Sequence, residues 1–203
     1  MKLFAQIISI IFHPVFIPLY CAVIFVNSLP YSILYSTAYK ILIIAIIAFF
    51  TCGIPILVML FKYLNGSISD FYIKERKKRT PIYIISFVCC VICAVNLINL
   101  HIEPFFLFIF ASSSMSIFVL AAINMKWKIS AHSCGAGILC GTVFASAYYL
   151  FANPVFLFCS VIFISGTVIS ARLALNAHTV GQTTAGFFVG LIFSLLPIII
   201  IIL

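Results

Sequence analysis

Three short polar segments hold most of the side chains in this sequence that can do chemistry. The first reads Lys74-Glu75-Arg76-Lys77-Lys78-Arg79-Thr80-Pro81, the second Lys128-Ile129-Ser130-Ala131-His132, and the third runs from Arg172 through His178 to Gln182. Guanidinium groups grip phosphate oxygens as two-pronged forks and stabilise the negative charge that builds during phosphoryl transfer. Of two histidines, one can attack phosphorus while the other protonates the leaving oxygen. The carboxylates are Asp70, Glu75 and Glu103, which form no cluster able to hold a metal. The expected chemistry is therefore histidine-based, with no metal and no cofactor.

The elements that must position these residues follow from composition. Hydrophobic residues make up 66% of the 203 positions and charged residues 7%, with a mean hydropathy of +1.35. A soluble chain carries roughly a quarter charged residues, so the solvent of this one is lipid. Seven stretches are apolar over about the 20 residues that a membrane-crossing helix needs: 4–26, 39–62, 82–100, 104–124, 132–151, 154–172 and 179–203. The expected fold is all-α, a polytopic transmembrane helical bundle of six to seven spans. It forms a single integral-membrane unit over 1–203, with the site-bearing segments at 70–182. The first stretch is too long for a cleaved signal and lacks a small-residue cleavage site, so it reads as a retained helix.

Counting spans places the chemistry. The segments 63–81, 125–131 and 173–178 precede the third, fifth and seventh spans, so two crossings separate each from the next. All three polar segments emerge on one face, together with Lys2, while Lys40 and Glu103 lie opposite.

In this order and placement the segments resemble the type 2 phosphatidic acid phosphatase superfamily, whose pattern is K-x6-R-P, then P-S-G-H, then S-R-x5-H-x3-D at helix ends on one membrane face. The third motif matches most closely, with Arg172, five residues and His178. The second keeps Ser130 and His132 in Ile129-Ser-Ala-His, and the first is looser, Arg79-Thr-Pro81 with Arg76 and Lys74 upstream. The resemblance covers residue 70 to the C-terminus. It implies a membrane phosphatase in which His178 is the nucleophile that forms a phosphohistidine and His132 the general acid. Arg79, Arg172 and Ser130, with backbone donors near Ala131, would bind phosphate, and either Lys74 or Arg76 would be the leading cation.

Gln182 stands where the family has Asp, Ala131 where it has Gly and Ile129 where it has Pro. A helical turn from His178, Gln182 can still accept a hydrogen bond from the ring nitrogen that does not attack, but it adds no charge. This leaves two expectations: a phosphatase acting on a lipid phosphomonoester or diphosphate, or a binder or transporter of phosphorylated lipids that keeps the cationic pocket. The partners expected are a lipid-phosphate substrate and membrane lipids, with no nucleic acid.

The remaining features read as structural. His13-Pro14 and Pro18 bend the first span, and His13 is expected either to line an access path or to bond a carbonyl that the kink releases. The cysteines Cys21, Cys52, Cys89, Cys90, Cys93, Cys134, Cys140 and Cys159 lie in apolar runs and read as small buried hydrophobes, the Cys90-x-x-Cys93 pair included. His101 beside Glu103 reads as interfacial. With the site cations set aside, Lys2, Lys62, Lys77, Lys78, Lys126 and Lys128 still share the site-bearing face against Lys40 alone. The positive-inside rule therefore places that face in the cytoplasm at the cell (inner) membrane.

Overall fold

A computed structural model describes residues 2–28, 30–70, 73, 75–150 and 155–202. Its described residues form helices and no strand. The first span is α1 (Lys2–Ile11) and α2 (Ile17–Asn27), joined by a 3-10 turn at Pro14–Phe16; a short α3 (Tyr31–Leu34) follows. The second is α4 (Thr37–Ile47) and α5 (Ile54–Leu64), with a π-helical turn at Ala48–Gly53 between them. Then come α6 (Arg76–Asn99), α7 (Pro104–Asn124), α8 (Ala131–Tyr149), α9 (Val155–Ala174) and α10 (Val180–Ile202).

Six of these segments are long and apolar enough to cross a membrane: Lys2–Asn27, Thr37–Leu64, Arg76–Asn99, Pro104–Asn124, Val155–Ala174 and Val180–Ile199. Their outward faces carry large apolar side chains such as Phe49, Leu57, Phe156 and Phe163, a surface suited to lipid. The seventh expected span, α8, is 19 residues long but less apolar, because 14 of its residues are buried against other helices. The eight cysteines are free thiols, seven of them buried, while Cys159 differs from expectation by facing outward from α9.

The tightest packing joins α8 to α10, and glycine makes it possible. Gly137 and Gly141 on α8, and Gly186 and Gly190 on α10, each repeat at the four-residue spacing that lets membrane helices approach backbone to backbone. A Cβ on Gly137 would overlap the Phe187 carbonyl oxygen, and one on Gly190 the Cys134 carbonyl oxygen. The two helices therefore meet along their backbones, and their N-termini are held side by side.

Two interruptions shape the neighbouring spans. Pro14 has no amide to donate, and the chain tightens there so that His13 N–H bonds the Ile10 carbonyl rather than that of Ser9. In the second span Pro55 likewise supplies no donor, the Thr51 hydroxyl takes the Ile47 carbonyl, and Cys52 donates to the Val15 carbonyl. The π-turn and the α1–α2 kink are thereby tied together.

The end of the bundle away from the polar segments is closed by aromatic rings. Phe25 stacks on both Tyr31 and Phe106 at 4.5 and 4.4 Å, and Phe105 stacks on Tyr149 at 3.9 Å. Glu103 caps α7 through Phe106 N–H and accepts the Tyr149 hydroxyl at 3.0 Å. His101 is exposed at the α6–α7 turn nearby.

Candidate functional site

Each polar segment is shaped by a helix terminus. α9 ends in a Schellman motif: the Ala177 amide reaches back to the Arg172 carbonyl and the Asn176 amide to that of Leu173, with Asn176 in the left-handed region at φ 49°. That turn fixes where His178 stands relative to Arg172. α10 begins with a capping box, in which Gln182 N–H bonds Thr179 Oγ1 at 3.4 Å while Gln182 Oε1 accepts Thr179 N–H at 3.3 Å. The same Gln182 oxygen lies 3.0 Å from His178 Nδ1. An oxygen only accepts, so Nδ1 carries the ring proton and Nε2 keeps its lone pair.

α8 starts on Ser130, whose hydroxyl caps the helix by accepting Ser133 N–H at 3.3 Å and is bonded by the Ser133 hydroxyl at 3.0 Å. The Ser130 amide in turn donates to the Gln182 carbonyl at 3.3 Å, linking the second and third segments.

α6 begins six residues earlier than the apolar pattern predicts, so Arg76 and Arg79 belong to its first turns rather than to a loop. Arginine and lysine are good helix formers, and the helix continues past the hydrocarbon edge until the chain turns. Arg79 is buried and donates to the Ile73 carbonyl.

Arg79, Arg172, His132 and His178 line one cavity of about 120 Å³. The space is several times what a single water needs. Among the described residues no acidic side chain lines it. Away from the cations the wall is apolar, formed by Ile17, Pro18, Leu120 and Ile138 among others. A second space of about 30 Å³ shares Pro18, Cys90, Ile117 and Ile138 with the first and continues toward Phe106.

The electrostatics follow from this packing. Burial, and after it the positive charge of Arg79, lowers the His178 pKa from 6.5 to about 4. His178 is thus neutral at physiological pH, with its Nε2 lone pair available. Lys128 is also lowered, by burial and then by Arg79 and Arg172, which puts a third cation within electrical reach of the cavity. An anion is what this field favours.

The structure therefore brings together Arg79, Arg172, His132 and His178, with Gln182 behind His178. Ser130 serves as the α8 cap and does not line the cavity, although Ala131 does. Arg76 is turned to the Met125 carbonyl at 2.8 Å, and Lys74 lies outside the described residues. Among the described residues no three His, Cys, Asp or Glu side chains group so as to hold a metal.

Two residues of the first span adjoin the site. His13 lines the cavity, and its ring meets that of His132 edge to face at 5.3 Å. The carbonyl released by the kink, that of Ser9, is bonded by His132 Nε2 at 3.1 Å, whereas His13 caps the 3-10 turn by accepting Val15 N–H on Nδ1. The signal in the sequence was the His13-Pro14 pair; nothing pointed to Ser9. Comparison of the chain with protein-family models, with curated proteins and with solved structures found no match.

Proposed function

We propose that the protein is an integral membrane phosphatase that removes phosphate or diphosphate from a lipid headgroup by way of a phosphohistidine. One observation carries this reading: a neutral histidine with a bare Nε2 shares a cavity with two buried arginines and a second histidine. The motif resemblance of residues 79–81, 130–132 and 172–178 supports it independently.

In the first step Nε2 of His178 attacks phosphorus. The N–P bond forms as the bond to the headgroup oxygen breaks, and that oxygen takes a proton from His132. His132 enters this step as an imidazolium, with Nε2–H on the Ser9 carbonyl and the transferred proton on Nδ1, and the negative charge of the substrate offsets the cost of that cation. In the second step water, deprotonated by His132, attacks the phosphohistidine and releases inorganic phosphate. Arg79 and Arg172 neutralise the charge on the transferring group throughout. The apolar wall beyond the cations suits a substrate whose tail stays in lipid. By the positive-inside rule the site faces the cytoplasm.

The competing reading is a non-catalytic binder or transporter of the same lipids, and the observation that favours it is the neutral Gln182 behind His178. Phosphate release by the purified protein from phosphatidic acid, phosphatidylglycerophosphate or a polyprenyl diphosphate, compared with His178→Ala, separates the two. Equal inertness of both proteins across that panel sinks the phosphatase reading.

A further inference from the structure

The kinked first span lies outside all three motifs, yet it lines the cationic pocket and bonds two of its residues. Ser9 is fully buried. Its hydroxyl accepts Arg172 Nη1 at 3.1 Å and its carbonyl accepts His132 Nε2 at 3.1 Å, joining residues 163 and 123 positions away in sequence. The carbonyl is available because Pro14 breaks the helix and His13 N–H turns to Ile10 instead. A carbonyl only accepts, so His132 carries a proton on Nε2 and presents Nδ1 as its other nitrogen. His13 is fixed in the complementary way: Nδ1 accepts Val15 N–H, so the proton sits on Nε2 of a ring that lines the cavity.

We infer that this segment forms a third wall of the phosphate site, in which Ser9 is a positioning residue for Arg172 and His132, and His13 donates its Nε2–H to an oxygen of the bound phosphate. The inference rests on the reading of the cavity as a phosphate pocket. The donor requires no protonation of His13, and it comes from the first span, which carries neither arginine. The kink is the device that makes both contacts: a straight helix would return the Ser9 carbonyl to His13 N–H and leave His132 without its acceptor.

The test is binding of inorganic phosphate to the full chain in nanodiscs, followed by calorimetry and by ¹⁵N shifts of the histidine rings. Nanodiscs containing phosphatidic acid form a second arm, and the probe that binds more tightly identifies a free phosphate or a lipid headgroup as the natural ligand. Ser9→Ala and His13→Phe are each expected to weaken binding roughly tenfold, the scale of one hydrogen bond to a charged group. Ser9→Thr and His13→Gln, which retain a hydroxyl and an N–H, are expected to stay within about twofold of wild type, which separates lost contacts from lost folding. Ser9→Ala should add little in an Arg172→Ala background, because its effect passes through that guanidinium. Wild-type affinity in Ser9→Ala and His13→Phe alongside lost binding in Arg172→Ala would overturn the inference and leave the phosphate pocket standing. No binding by wild type, or binding indifferent to Arg172→Ala, would overturn both.

Discussion

His178 and Gln182 share one hydrogen bond, from ring Nδ1 to the side-chain oxygen across 3.0 Å, and that same oxygen closes the capping box at the start of α10. The glutamine is thus both a helix cap and the group that sets the tautomer of the candidate nucleophile. A carboxylate at this position would do the same with added charge. Gln182→Glu is expected to keep the cap, raise the His178 pKa and leave any phosphatase activity unchanged or higher, as is Gln182→Asp with its shorter reach. Gln182→Leu removes both bonds and should lower activity by up to about 10⁴-fold, the scale seen when a catalytic histidine loses its orienting partner. Ring titration by NMR beside phosphate release checks each; an unshifted His178 in Gln182→Glu would contradict the geometry.

The low pKa of His178 predicts a pH response with a definite sign. Folded His178 releases its proton near 4 and the unfolded chain near 6.5, so between these values the unfolded state binds more protons. Its contribution to stability is complete above about 6.5 and is lost as the pH falls toward 4. Removing the nearby charge with Arg79→Gln should raise the His178 pKa, leaving burial as the main cause. The expected NMR titration of wild type keeps this ring neutral at pH 5.5; a midpoint above 6 would refute the burial argument.

The α8–α10 contact predicts opposite outcomes for two glycines. Gly190→Leu drives a side chain into the Cys134 carbonyl and should cost about 3 kcal/mol or prevent folding. Gly166→Ala on α9 meets nothing within 4 Å and should be neutral or stabilising by roughly 0.5 kcal/mol, since alanine is the better helix former. Thermal unfolding in detergent compares them, and equal melting points would refute the close backbone contact.

Topology gives a further check. A reporter fused at the C-terminus should read as non-cytoplasmic if the cation-rich face is inside; a cytoplasmic reading reverses the assignment.

Much of the bundle was legible because apolar runs report directly on lipid contact. Pro104–Asn124 coincides with the pattern, and the other helix ends differ from it by a few residues at most, apart from the start of α6. There the cations Arg76 and Arg79 hid the first turns, because charge reads as a break even where the helix continues beyond the hydrocarbon. α8, expected as a span like the others, is less apolar than they are for the reverse reason, since a helix enclosed by protein needs less apolarity than one bathed in lipid. The meeting of Arg172, His132, His178 and Arg79 was anticipated by counting crossings. Ser9 was not, since its role depends on a carbonyl displaced by a proline five residues along and on partners more than a hundred residues away. The paired glycines of α8 and α10 were visible as spacing, but only packing tells which helix faces which.

The turn that ends α9 acts as a ruler. Because the Ala177 amide closes on the Arg172 carbonyl and Asn176 takes the left-handed turn, the number of residues between arginine and histidine is fixed while most of their identities are not. Glycine could replace Asn176, and Leu173 or Leu175 could drift among apolar types without moving the site. A single inserted residue would swing His178 about a third of a turn away from the arginine. Length, more than composition, is what this segment has to preserve.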